Sequence, residues 1–177
     1  IALYNEYFGG GMAGIVFQEL RESKALAYST FSSFTIPNRK EKAHYNIAYI
    51  GTQSDKLPEA MTGLFQLLND MPESEITYNS AKDNLIQKFN TERITKTGIL
   101  NSYLSAQKLG LDHDIRKDIY DKASTLSLDD IKKFQADNVK DSKYTILVLG
   151  DKNKLDINTL QKYGTVKYLT LEEIFGY

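Results

Sequence analysis

The stretch Tyr7 to Ser29, YFGGGMAGIVFQELRESKALAYS, gathers the residues of this 177-residue chain whose types and spacing could do chemistry. Gly9, Gly11 and Gly14 satisfy G-x-G-x-x-G, and an amphipathic segment follows whose N-terminal N–H groups could hold a phosphate. That segment ends in Arg21, and Tyr28 stands seven residues further on. Phosphate binding by such glycines also requires a buried strand before them and an acidic residue about 20 positions later. The preceding IALYNEYF is only half apolar, Ala27 to Ile36 contains no Asp or Glu, and no Lys-Ser or Lys-Thr follows the glycines. Neither a dinucleotide fingerprint nor a P-loop is complete. A tight turn into the helix, through backbone angles open to glycine, accounts for the triple more simply.

Metal and nucleophile chemistry find less support. The two histidines are His44, on an expected strand, and His113, in the polar stretch GLDHDIRKD. Neither has a second His at i+4, and H-E-x-x-H and H-x-x-E-H are both missing, so no metal ligand is assigned in this chain. His113 with Asp112 and Asp114 reads as a solvated loop. No serine or carboxylate is placed by sequence to form a triad with His44. Cysteine is absent, which excludes disulfide and thiolate chemistry and leaves both cytoplasm and periplasm open.

The elements that must position these residues are legible from periodicity. Met12, Ile15, Val16, Glu19 and Leu20 fall near a 3.6-residue period, which predicts a helix over Met12 to Ser23 opened by the glycines. Ala27 to Ile36 and Ala43 to Ile50 read as strands, with Tyr45, Ile47 and Tyr49 on one face, joined as a hairpin by PNRKEK. A helical block follows. Its first helix carries Met61, Leu64, Phe65, Leu68 and Met71, with Pro58 in the first turn and Pro72 past the end. Ser74 caps a second, with Ile76, Ala81, Leu85 and Phe89 as its apolar positions, to about Arg93. Further helices are expected over Thr97 to Leu109, over Ile115 to Lys122, and after a Ser127–Asp130 capping box. Tyr144 to Leu149 reads as a strand, Asp156 to Lys162 as a small helix and Val166 to Leu169 as another strand. The order predicts one α+β domain over residues 1–177, a mixed and largely antiparallel sheet with helices packed on one face.

Composition narrows the classes. Twenty-two Lys and Arg balance 23 Asp and Glu for a net charge of -1, without a basic run, so a nucleic-acid surface is not advertised. No apolar run approaches the roughly 18 to 20 residues of a membrane span. The 12 tyrosines and eight phenylalanines need only be core and strand residues.

The glycine run, FQELRE and LAYS together resemble one segment of the C-terminal, non-zinc domain of the insulinase or pitrilysin family of zinc metallopeptidases, which includes mitochondrial processing peptidase-like enzymes. The close resemblance covers Tyr7 to Ser29; beyond it only the order of elements agrees. It implies one half of a duplicated clamshell, whose other half carries H-x-x-E-H and binds Zn2+. It further implies that Arg21 and Tyr28 reach the substrate and that Gly9, Gly10 and Gly11 form the family's glycine-rich turn beside them. Attack on a peptide carbonyl builds negative charge on oxygen, and the Tyr28 phenol could donate to it. The Arg21 guanidinium could hold peptide carbonyls or a carboxylate. Each also has a plain structural role open to it: an Arg suits a helix C-terminus, and a Tyr opening a strand is often core.

Three functions follow, in order of weight. The first is the substrate-binding and transition-state-assisting half of a zinc-dependent endopeptidase, inactive without a zinc-bearing domain or subunit. Next comes a catalytically inactive family member with a structural or regulatory role, and last nucleotide binding through Gly9 to Gly14. A start at Ile1 leads us to expect a fragment that lacks N-terminal strands and an upstream zinc domain, and exported relatives favour the periplasm over the cytoplasm.

Overall fold

The computed structural model describes residues 1–177. A helical entry opens the chain: α1 (Ala2–Tyr4) runs into a π-helical turn at Asn5–Gly9, and a 3₁₀ turn at Gly11–Ala13 leads to α2 (Ile15–Phe17) and a second π-helical turn, Gln18–Ser23. Two antiparallel strands follow, β1 (Ser29–Thr35) and β2 (Tyr45–Gly51), in register Ser29 with Gly51 to Thr35 with Tyr45. The remainder is helical: α3 (Leu57–Asn69), α4 (Glu75–Thr91), α5 (Lys96–Lys108), α6 (Ile115–Ala123), α7 (Leu128–Asn138), α8 (Ile157–Gln161) and α9 (Leu171–Phe175). No helix is long and apolar enough to cross a membrane.

Alternation along the hairpin decides which face meets the helices. Thr30, Ser32 and Phe34 are buried on β1, whereas Phe31 on β1 and Tyr45, Ile47 and Tyr49 on β2 are exposed. The α+β class and the segregation of helices to one sheet face therefore hold, and the aromatic face of β2 points outward. Gly9 permits the close approach on the inner side: a Cβ there would lie 1.7 Å from the Ser32 carbonyl oxygen. Asn5 completes that contact by accepting from the Phe34 N–H at 2.8 Å and donating to its carbonyl at 3.0 Å. Side-chain amide thus substitutes for a third strand on that edge of β1.

Leu3, Tyr4, Tyr7, Phe8, Val16 and Leu20 are almost wholly buried and form the centre of the core. Each such side chain contributes roughly 1.5 to 3 kcal/mol of transfer free energy. Two polar side chains tie this core together. Tyr7 donates to the Pro72 carbonyl at 2.8 Å and accepts from the Ser74 N–H at 3.0 Å, which pins the turn between α3 and α4. Gln135 of α7 accepts from the Tyr4 hydroxyl and donates to the Leu68 carbonyl, tying three elements together.

Several expectations are corrected. Tyr144 to Leu149 forms no strand, and Leu147 and Leu149 stand exposed, because the hairpin does not pair with it and an apolar run has no ladder of its own. Val166 to Leu169 is irregular; Thr170 and Glu173 form a capping box that starts α9 instead. The helix after the glycines opens at Ile15, not Met12, which is 75% exposed. Ile76 is exposed as well, since Tyr78, Ala81 and Leu85 form the buried stripe of α4. The half-apolar IALYNEYF is helical, and its apolar residues supply the core centre. By contrast the caps at Ser74 and Ser127, Pro58 in the first turn of α3 and the hairpin all stand where the sequence places them.

Candidate functional site at the helix to strand junction

Arg21 lies in the second π-helical turn and Tyr28 just before β1, so the six residues between them must reverse the chain. Ala25 does so with a left-handed backbone, φ 48°, a conformation that costs a non-glycine residue roughly 1 to 2 kcal/mol. Leu26 N–H reaches back to the Leu20 carbonyl at 2.8 Å, and the Lys56 ammonium donates to the Ala25 carbonyl at 2.9 Å. On the strand side, Tyr28 N–H donates to the Gly51 carbonyl at 2.8 Å. A junction clamped at both ends holds the two side chains in one place.

There they meet. The Arg21 guanidinium carbon lies 4.8 Å from the centroid of Phe17, one turn earlier, and 5.8 Å from that of Tyr28, both within cation–π range. Its nearest carboxylate is Glu22, 3.6 Å from Nε, and its guanidinium makes no hydrogen bond within the chain. Tyr28 is 86% exposed, and its hydroxyl has no partner within the chain. Beside it a groove is lined by Leu26, Ala27, Tyr49, Thr52 and Lys56, and the Thr52 hydroxyl is itself unpartnered. An exposed phenol and a guanidinium that makes no hydrogen bond within the chain can both serve acceptor oxygens of an extended peptide.

The glycines are fixed by the packing and the turn. Gly9 is against Ser32, a Cβ on Gly10 would come within 2.7 Å of Glu6 Cα, and Gly11 turns the chain with φ 61°. Gly9 and Gly10 are thus constrained by close packing and Gly11 by its backbone turn. Sequence reasoning passed over Phe17 and Lys56; the i to i+4 spacing of Phe17 and Arg21 was the available signal for the first, whereas Lys56 reaches the site only through the fold.

Neither histidine is gathered into a metal site. His44 stacks on Phe34 with centroids 6.0 Å apart. The two ring nitrogens of His113 pair with Asp112 at 2.7 Å and Asp118 at 2.8 Å, contacts that raise its pKa to about 8. Asp114, expected beside it, instead caps α6 and holds Arg116. No group of three or more His, Asp or Glu side chains that could hold a metal ion forms.

Residues 1–81 match the family model described as the peptidase M16 inactive domain. Among solved structures, the crystal structure of a peptidase M16 inactive domain from Pseudomonas fluorescens superposes with a TM-score of 0.63 at 17% identity, over 79% of this chain and 34% of that one. At that identity the likeness establishes the fold, and the chain spans about a third of the length of the protein it matches. No curated protein matches. The family match thus lies within residues 1–81, and the fold shared with the peptidase M16 inactive domain extends over 79% of the chain.

Proposed function

We propose that this domain is the substrate-contacting half of a zinc-dependent M16 endopeptidase acting on peptides or unfolded segments. The observation that carries the reading is the pairing of Arg21 and Tyr28 at one exposed junction with their hydrogen-bonding capacity unspent. Arg21 holds peptide carbonyls or a carboxylate through its fork, and Tyr28 donates to the carbonyl oxygen that gains charge as the bond is attacked. The nucleophile is not supplied here: a zinc-bearing domain or subunit with H-x-x-E-H is required as partner, and this chain alone is inactive. The position of Gly9 and Gly10 inside the packing favours a structural role for the glycine run over contact with substrate.

Tyr28→Phe tests this directly, because it keeps the ring that Arg21 contacts and removes only the hydroxyl. In the assembled enzyme it lowers kcat by about 10² to 10³-fold with zinc content intact. Unchanged turnover removes Tyr28 from the mechanism and favours the inactive, structural role for the domain.

A further inference from the structure

Arginines in this chain are held in different ways. Arg116 spends its guanidinium on Asp114, at 2.9 and 3.0 Å from Nε, and on Glu92 at 3.1 Å from Nη1. A fork satisfied by two carboxylates is neutralised and has little left for a ligand. Arg21 has only Glu22, 3.6 Å from Nε and beyond hydrogen-bond distance, and no other arginine lies over an aromatic ring. Phe17 closes α2, is half-buried, and presents its ring 4.8 Å from the Arg21 guanidinium carbon, the nearer of the two rings. Aromatic faces orient a guanidinium without consuming its N–H donors or its charge.

We infer that Phe17 is a positioning residue: its ring holds the Arg21 guanidinium over the helix to strand junction with the donor fork free for a peptide carboxylate or paired carbonyls. The inference rests on the reading of Arg21 as the substrate-binding cation. A carboxylate in place of Phe17 would orient Arg21 equally well and compete with the substrate for the same donors. Tyr28 supplies the second, more distant face from the far side of the chain reversal, so the two rings restrict Arg21 from both the helix and the strand. Loss of the Phe17 face removes about two- to fivefold in substrate affinity, the size of an exposed cation–π contact.

Two measurements test it. The first uses this chain alone: the Nε–H resonance of Arg21 is shifted upfield by the rings, moves toward its unshielded position in Phe17→Leu, and stays shifted in Phe17→Tyr. An unshifted resonance in the wild-type chain overturns the inference whether or not any variant folds. The second uses the assembled peptidase: Phe17→Leu raises KM for a peptide substrate two- to fivefold with kcat within about twofold, and Phe17→Tyr restores KM. If Arg21→Ala raises KM and Phe17→Leu does not, or if Phe17→Tyr fails to restore it, the positioning role is overturned and the wider reading stands. If Arg21→Ala leaves KM unchanged, the reading of Arg21 itself falls.

Discussion

Residues 1–91 and 92–177 are built on different principles, although both are mostly helical. The first region buries its large side chains: Tyr4, Tyr7, Phe8, Leu20, Leu67 and Leu68 are all nearly inaccessible. Beyond Thr91 the buried side chains reduce to Ala106, Ala123, Leu128, Ile131, Gln135, Val139, Thr159 and Leu160, while Ile99, Leu100 and Tyr103 of α5 stand exposed. What the second region has is local chemistry. Thr95, Asp114, Ser127, Asp156 and Thr170 each cap a helix, and exposed ion pairs such as Lys117 with Asp121 and Lys133 with Asp137 decorate the surface. The difference teaches that helix formation and burial are separable: caps and propensity can define helices that contribute little to a core. The family match falls within the packed region, and so does the candidate site.

The sharpest way to break that contrast is Gly9→Ala. With its Cβ 1.7 Å from the Ser32 carbonyl oxygen, the helical entry must move off β1, and stability in urea falls by about 3 kcal/mol. Gly11→Ala, whose added Cβ meets nothing within 4 Å, bears only the left-handed backbone cost of about 1 kcal/mol. Equal effects at the two sites would mean that the glycine run acts through backbone conformation alone, and that the first region is not held by close packing.

Gln135→Ala tests whether the two regions are joined. It leaves the Tyr4 hydroxyl and the Leu68 carbonyl without their buried partner and lowers stability by about 2 kcal/mol, in a single cooperative transition. A biphasic unfolding curve would separate the regions that Gln135 is argued to tie.

The smallest effect is expected at His113, well inside the second region. Asp112 first, and Asp118, accept from the imidazole and raise its pKa to about 8, above the roughly 6.5 of an unperturbed histidine. The folded form is the better proton binder, so the stabilising contribution is complete below about 6.5 and disappears as pH rises through about 8. An NMR titration should place the midpoint near 8 in the wild-type chain and lower in Asp112→Asn. A midpoint at the unperturbed value would dissolve the pair. Signals from the core around Tyr4 and Leu20 should not move over the same range.

The same contrast explains what was legible. The caps at Ser74 and Ser127, Pro58 near the start of α3 and the Ser/Thr-rich hairpin strands act over three or four residues, and each was readable from its neighbours. Ile76 and Met12 fall on the apolar period and yet stand exposed, because period does not say which stripe of a helix the core will take. Tyr144 to Leu149 has strand composition; whether it becomes a strand depends on a pairing partner distant in sequence. Of the candidate site, Arg21 and Tyr28 were legible as a spaced pair in a recognisable segment. Phe17 was visible only as an apolar residue of the helix, because a ring that carries a guanidinium has the same period as a ring that fills a core.

Local order was written in the amino acids themselves: the α+β succession, the helix boundaries set by caps and prolines, the close placement of Arg21 and Tyr28 along the chain, and the lack of any zinc motif. Tertiary structure alone decided that Gly9 is a packing requirement against Ser32, that Gln135 joins Tyr4 to Leu68, that the β2 aromatics face outward and that Lys56 secures the turn beside Tyr28. Caps and turns are governed by hydrogen bonds between near neighbours in sequence. Close approach, burial and cation–π contact depend instead on which distant surfaces meet, and that is set when the whole chain minimises its exposed apolar area at once.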